Sequence, residues 1–415
     1  MHNSLITFRH DRNISLITLR DNFSLAVSAT APFYSLIVTV PLMYSLVGVM
    51  TPMIYLLSVI PILFTHYSMK HNNYHHADNG AVYSWTQSSK TIAWIAGFSV
   101  VATDIISTSS QAVVAGEYGL KLLGDIDTPI VISLVSCVLV ILIALINMNS
   151  LKKTSSLQLL GIVIQILAML YVVYLVFTTE PSIKMNIEDA QHSLADYAHA
   201  LLLGVFAYWG FDVVYFVSED SDSSTDKASL ISILTLTVFF VSASWVMISQ
   251  GFHIEHNFFI MFAVFISAFM SLGSAIIPTA NSMVAMSKNN EFPSSVSTRK
   301  MAVIVVVIIV SLWTIVSVFS LEFFEATVDC LGVFVGIYFS ISLYTAYKHH
   351  RGNRFVNASG LILMLSITVI SLWEVIDDAN SGFFNSLALP AVIVLFIGVI
   401  FYYFYFYRKN LEKLE

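Results

Sequence analysis

The sequence predicts an all-α integral membrane protein with about twelve transmembrane helices. Of its 415 residues, 57% are hydrophobic and only 11% are charged, and the mean hydropathy is +0.79. A soluble globule of this size needs more polar residues to cover its surface. Long apolar runs recur along the whole chain, and each is close to the roughly 20 residues that a helix needs to cross about 30 Å of hydrocarbon.

The apolar runs and the breaks between them define the predicted spans, numbered 1 to 12. Their boundaries in order are 23–46, 48–69, 91–119, 129–149, 156–178, 194–217, 229–250, 257–287, 301–319, 326–347, 355–374 and 385–407.

The positive charges predict the orientation of these spans. If the N-terminus is cytoplasmic, the inner segments hold every one of the 19 Lys and Arg residues except Lys121 and Lys184. This is the positive-inside bias of inner or plasma membrane proteins. One missed span would invert every later loop and remove the bias. We therefore expect both termini, in segments 1–22 and 408–415, to be cytoplasmic.

Two spans carry interruptions that a simple membrane anchor does not need. Span 1 contains Pro32, which cannot donate to the helical ladder, after small polar residues. Span 6 contains Gly210 and the ionisable Asp212 at membrane depth. Broken helices survive in a bilayer only where protein or a cavity surrounds them. Taken singly, Pro32 could be explained as an ordinary kink and Gly210 as a packing glycine. Paired breaks in corresponding spans instead indicate a central binding site.

Two acids lie inside predicted spans. Asp104 falls in the middle of span 3 and Asp212 in span 6. A carboxylate at a helix centre costs about 2.5 to 3.5 kcal/mol, which favours an inward, solvated or paired position. The alternative is a pair of structural acids bonded to Ser and Thr hydroxyls. Glu219 follows span 6 closely enough to act as a gate.

Four segments together resemble the amino acid-polyamine-organocation (APC) superfamily of permeases, over residues 20–300. They are Ala29-Thr30-Ala31-Pro32-Phe33-Tyr34-Ser35, Asn79-Gly80-Ala81-Val82-Tyr83-Ser84-Trp85, Tyr208-Trp209-Gly210-Phe211-Asp212 with Glu219, and Ile277-Pro278-Thr279-Ala280-Asn281-Ser282-Met283-Val284-Ala285-Met286. The resemblance implies two inverted repeats, 23–178 and 194–347, followed by spans 11 and 12 in 355–407. It also implies a carrier of amino acids or related amines that works by alternating access.

The resemblance places the substrate at the two broken helices. Half-helix N-termini carry partial positive charge, so the amides around Ser28, Ala29 and Thr30 are expected to hold a carboxylate. The carbonyls of Phe206, Ala207 and Tyr208 are expected to take an ammonium, with Phe206 as a gating aromatic. Residues expected to bind substrate are Ser28, Ala29, Thr30, Ala31, Asp104, Phe206, Ala207, Tyr208 and Gly210.

The coupling ion is left open between H⁺ and Na⁺. Asp212 and Glu219 are expected to act in coupling or gating. Gln165 occupies the place where proton-coupled relatives carry a lysine, and an amide cannot titrate. Ser271 and Ser274 are candidates for helping to ligate sodium, or small residues at a helix interface. The expected partners are a small-molecule substrate and the lipid bilayer, without nucleic acid, metal, other cofactor or catalytic residue.

Three other functions stay open. His71, His75 and His76 have the spacing of a di-iron membrane enzyme, although that chemistry needs further histidine clusters on the same face, and His253 and His256 fall outside the cell in the predicted topology. A channel or sensor on the transporter fold shares every feature above. Two intramembrane acids without an intramembrane cation favour a polyamine or cationic amine exchanger.

Overall fold

The computed structural model describes residues 16–124, 128–149, 151–178, 192–250, 257–319, 321–381 and 388–407. The predicted tail 408–415, most of segment 1–22, and the residues Lys184, His253 and His256 lie outside the described residues. We number the α-helices in chain order: α1 Leu19–Thr30, α2 Pro32–Val47, α3 Thr51–His75, α4 Val82–Trp85, α5 Lys90–Gly124, α6 Pro129–Asn149, α7 Leu151–Thr178, α8 Leu194–Tyr208, α9 Thr225–Ser249, α10 Phe258–Lys288, α11 Arg299–Phe319, α12 Leu321–Lys348, α13 Arg354–Ser381 and α14 Ala388–Phe401.

The described chain also contains a 3₁₀ segment and a π-helical turn beside the α-helices. A 3₁₀ segment, Phe211–Asp220, follows α8, and a π-helical turn, Tyr402–Tyr407, ends the described chain. Within the described ranges, nine helical stretches are long and apolar enough to cross a membrane, the first of which, Leu19–His75, joins α1, α2 and α3. The predicted all-α membrane fold is confirmed, whereas the count of twelve spans stays a prediction.

The helices that carry the site begin at side-chain caps. Thr18 and Asp21 form a capping box at the start of α1, and Ser193 and Asp196 form another at the start of α8. The side chain of Asn257 accepts the amide of Phe259 at 2.9 Å at the start of α10. Each cap satisfies amide groups that the first helical turn leaves without an intrahelical partner.

Several helices extend beyond the apolar runs that predicted them. Span 2 was expected to end at 69, but α3 continues to His75 through a polar stretch. Asn72 in that stretch is fully buried, and its Nδ2 donates to the Ser342 carbonyl at 3.0 Å. Packing against α12 therefore sustains the helix where hydropathy no longer predicts one.

Burial separates an inner set of helices from an outer set. In the apolar window of stretch Leu194–Asp220, 94% of residues are buried, compared with 78% in α10 and 72% in α5. The share falls to 33% in α6 and α11, whose exposed leucines and isoleucines suit contact with lipid. The broken span 6 is thus enclosed by protein, as interrupted backbone in a membrane requires.

Candidate functional site

Span 1 breaks at Ala31. α1 ends at Thr30, Ala31 adopts left-handed backbone angles (φ 46°, ψ 62°), and Pro32 begins α2. Proline disfavours helical geometry in the residue before it and brings no N–H of its own, so the ladder stops at this point. The Ala31 amide turns back to the Ser28 carbonyl at 3.1 Å. The break therefore leaves free main-chain groups on both half-helices.

Span 6 breaks at Trp209 and Gly210. α8 ends at Tyr208, Trp209 is extended (φ −60°, ψ 140°), and Gly210 has φ 115°, a conformation that L side chains rarely adopt. The 3₁₀ segment Phe211–Asp220 then continues the chain. Gly210 is accordingly required by local backbone geometry.

The two breaks touch each other through their main chains. A Cβ atom added to Gly210 would lie 2.5 Å from the Thr30 nitrogen and 2.6 Å from the Ala29 carbonyl carbon. Only a residue without a side chain permits this approach. The paired interruptions therefore form one structural unit.

Side chains of α10 hold the main-chain groups that the break in span 1 releases. Ser271 Oγ donates to the Ala29 carbonyl at 3.0 Å, and Ser267 Oγ accepts the Phe33 amide at 3.2 Å. Within span 1 itself, Ser35 Oγ donates to the Thr30 carbonyl at 2.7 Å. Ser267 was not singled out from the sequence, where nothing distinguishes it from other serines of a packed helix.

The structure differs from the sequence prediction in the groups that Ser28, Ala29 and Thr30 offer. These residues form the last turn of α1, so their amides belong to the helical ladder and their carbonyls face the break. The C-terminal end of a helix is its partially negative end, suited to a cation, whereas the partially positive end at this break is the first turn of α2. The amides of Ser28, Ala29 and Thr30 are therefore not available for the predicted carboxylate cradle.

Asp104 and Asp212 line the same small cavity. Its wall also includes Ala29, Trp209 and Gly210, so both acids face the touching breaks. The cavity has a volume of about 10 Å³, counted as the space that the centre of a water molecule can occupy, so it holds roughly one water molecule. A ligand of amino acid size requires several times more space. The cavity in this structure is therefore too small for a ligand of that size.

The two acids have different surroundings. Tyr338 donates its hydroxyl proton to Asp212 Oδ2 at 2.8 Å, and Trp209 Nε1 donates to the Tyr338 hydroxyl. Asp104 Oδ2 is buried and has no hydrogen-bond partner among the described residues. No Lys, Arg or His is among the described residues that line the cavity. The cavity wall therefore offers two acids and one free acceptor oxygen.

The predicted ammonium-binding residues lie at the C-terminal end of α8. Phe206 stacks on Trp209 with ring centroids 6.2 Å apart, and the Phe206 carbonyl accepts the Trp209 amide at 2.9 Å. Ala207 is buried, and the Tyr208 hydroxyl donates to the Tyr55 carbonyl at 3.1 Å. The Tyr208 ring therefore anchors α8 to α3 beside the break.

Glu219 does not reach the cavity. It is exposed near the end of the 3₁₀ segment, and its amide donates to Asn79 Oδ1 at 3.1 Å. This position is at one end of the helix bundle, so a gating role for Glu219 would act at the surface.

The candidates for ion coupling are only partly brought together. Gln165 is fully buried, and neither polar atom of its side chain has a hydrogen-bond partner among the described residues. Ser274 lines the cavity, and its Oγ accepts Gln158 Nε2 at 2.7 Å. The side-chain amide of α7 that bonds to Ser274 is thus that of Gln158, two turns before Gln165. A glutamine in an apolar run gives no sequence signal for such a contact.

A short contact that we call the latch joins the chain before α1 to the chain after the 3₁₀ segment. The Ile17 amide donates to the Asp220 carbonyl at 2.9 Å, and the Asp222 amide donates to the Ile17 carbonyl at 2.9 Å. Asn22 adds side-chain bonds to Ser221 and Ser224, both at 3.2 Å. The latch ties the beginning of span 1 to the end of span 6.

The histidines that suggested an iron enzyme do not gather at the cavity. His71 lies in α3 against Tyr67, with ring centroids 4.5 Å apart, while His75 and His76 are exposed. In the part of the chain that the structure describes, no group of three or more His, Cys, Asp or Glu residues is placed to hold a metal ion.

Comparison with curated proteins gives no match for this chain. Comparison with family models does give one, and it includes span 1, Asp104, span 6 and the latch. The matching model, described as amino acid permease, covers residues 17–251, more than half of the chain. The chain therefore belongs to the amino acid permease family of the APC superfamily, a family of multi-pass membrane proteins whose substrates are amino acids and amines.

Proposed function

We propose that this permease is a secondary active transporter that moves amino acids or related amines across the plasma membrane by alternating access. The observation that carries the proposal is the contact between the two breaks, where Gly210 lies against the main chain of Ala29 and Thr30. Half-helix ends that meet inside a bilayer supply free amides and carbonyls for a substrate. No side chain needs to be charged for this recognition of a zwitterion.

The charges around the cavity favour a substrate with a positive group. Asp104 and Asp212 line the cavity, and the carbonyl end of α1 reaches the same place. A substrate ammonium would offset this negative potential. A cationic amine is therefore the second candidate beside the zwitterionic amino acids.

The small volume of the cavity supports a carrier mechanism. A space of about 10 Å³ admits no amino acid, so substrate enters and leaves only when helices move. The positive-inside bias supports a cytoplasmic location of both termini. The latch then lies on the cytoplasmic side and must open before substrate reaches that side.

The test of the proposed function is counterflow in proteoliposomes. Purified protein is first screened for thermal stabilisation by leucine, glutamate, arginine, lysine and putrescine, with and without sodium, since ligand binding raises stability. The stabilising compound is loaded inside vesicles, and entry of the labelled compound is followed with sodium, with choline in place of sodium, and with a protonophore. We expect saturable counterflow. Linear uptake without counterflow would indicate a channel, and no uptake of any of the five compounds would remove the transporter proposal.

Loss of the latch should expose the site to the cytoplasm. Asp222→Pro removes the amide that donates to Ile17, whereas Asp222→Ala keeps it and serves as the matched control. One hydrogen bond contributes about 1 kcal/mol, so we expect about fivefold faster thiol labelling of Ser28→Cys, which is buried in this structure. The measurement uses a membrane-impermeant maleimide on inside-out vesicles, with Cys137 and Cys330 replaced by alanine. Equal rates for the proline and alanine variants would show that the latch does not restrain opening.

A further inference from the structure

Tyr338 joins the broken span 6 to α12, in a part of the chain beyond the matched residues 17–251. Its side chain is fully buried and contacts both sides of the break. Trp209, in the unwound part, donates to its hydroxyl oxygen, and the hydroxyl donates to Asp212 on the 3₁₀ segment at 2.8 Å. One phenol thus holds two residues that flank Gly210.

The chemistry of Trp209, Tyr338 and Asp212 fixes which group donates in each of the two hydrogen bonds. An indole N–H only donates, so the Tyr338 oxygen must be the acceptor for Trp209. The single hydroxyl proton of Tyr338 is then available to Asp212 alone. Asp212 Oδ2 is consequently an acceptor, and a hydrogen bond donated to a carboxylate favours its ionised form.

The backbone adds to this preference for a charged Asp212. The residue lies in the first turn of Phe211–Asp220, where helix amides give partial positive charge. Asp104 lines the same cavity from α5, and its Oδ2 is buried without a partner among the described residues. One acid is therefore held by a donor, and the other has an oxygen left for a ligand.

We propose that Tyr338 is a positioning residue that holds Asp212 as an ionised acceptor beside the break, leaving Asp104 as the acid that meets the amine of the substrate. The part of this proposal that concerns the substrate rests on the proposed transport function. The part that concerns Asp212 does not, and is tested without any substrate.

The first experiment measures the protonation of Asp212 by its reaction with dicyclohexylcarbodiimide in membranes. The carboxylic acid gives its proton to a carbodiimide nitrogen, and its oxygen bonds to the central carbon, so the ionised form does not react. We expect Tyr338→Phe to increase labelling of the Asp212 peptide about tenfold, as measured by mass spectrometry, because the variant removes a hydrogen bond to a charged group. Tyr344→Phe, on the same helix but partly exposed, is the matched control and should label like the wild type.

A second variant distinguishes the loss of the Tyr338 hydroxyl from a loosening of the packing around it. Trp209→Phe removes the donor to Tyr338 but leaves the Tyr338 bond to Asp212, so Asp212 should label close to the wild-type level. Labelling of Trp209→Phe as strong as that of Tyr338→Phe would mean that looser packing, and not the lost hydroxyl, exposes Asp212. That result, or unchanged labelling in Tyr338→Phe, would overturn the proposal.

The second experiment follows transport of the compound identified by counterflow. Tyr338→Phe should lower Vmax/KM about tenfold and change its pH profile, since it removes a hydrogen bond to a charged group. In an Asp212→Asn background the same change should have no further effect, because both act through one interaction. Additive losses would show that Tyr338 acts elsewhere. If the wild type shows no counterflow, the transport proposal fails while the labelling result still decides the role of Tyr338.

Discussion

Replacing Gly210 with alanine should reduce transport at least about 100-fold, because the added Cβ would lie 2.5 Å from the Thr30 nitrogen, and neither main chain can yield without moving a half-helix. The positive φ of 115° adds a second penalty of roughly 1 to 2 kcal/mol. Both effects distort the break, and neither affects insertion of the chain into the membrane. Counterflow in proteoliposomes measures the loss, with quantitative reconstitution as the check on yield.

The matched control for this prediction is Gly119→Ala. Gly119 lies in α5, and its added Cβ would meet only the edge of the Phe265 ring, at 3.1 Å, a side chain able to shift. We expect near-normal transport from this variant. If Gly210→Ala keeps more than half of the wild-type rate, the contact between the breaks is not part of the transport pathway.

Asp104→Asn should lower Vmax/KM for a cationic substrate at least about 30-fold, since loss of one partner from a buried charge pair costs about 2 kcal/mol or more. Its Oδ2 is the buried acceptor in the cavity wall without a partner among the described residues. The amide keeps the shape of the acid, so the change tests charge and not packing. A zwitterionic substrate held by main-chain groups should lose less.

The comparison uses two substrates and one control. Arginine or putrescine is set against leucine in the same vesicles, and Glu117→Gln removes an acid from a partly exposed ion pair far from the cavity. We expect Glu117→Gln to behave like the wild type with each compound. An equal loss for cationic and neutral compounds in Asp104→Asn would show that the acid does not select charge.

Local chemistry made the breaks predictable from the sequence. Pro32 brings no N–H to the helical ladder and disfavours helical geometry in the residue before it, and Gly210 near an acid at membrane depth has few purely structural uses. Both breaks are present, with Ala31 in the left-handed region and Gly210 at positive φ. The all-α membrane fold followed in the same way from hydropathy alone.

Properties that depend on distant residues were not predictable. The amides expected at Ser28 to Thr30 belong to α1, because Ala31 and not Thr30 carries the left-handed turn. Tyr338 reaches Asp212 across 126 residues, and Gln158, not Gln165, meets Ser274. An isolated tyrosine or glutamine in an apolar run shows no periodic pattern from which its partner can be predicted. Such contacts arise only when the helices pack.

The close contact of Gly210 with the main chain of Ala29 and Thr30 limits how substrate specificity can change. A substitution of Ala29 or Thr30 keeps the same peptide group, and Gly210 has no room for a side chain, so the junction itself has little scope to vary. A change of preferred substrate must then arise from the side chains that line the cavity beside it, such as Asp104 and Trp209. Engineering of selectivity should accordingly leave the junction intact and vary its surroundings.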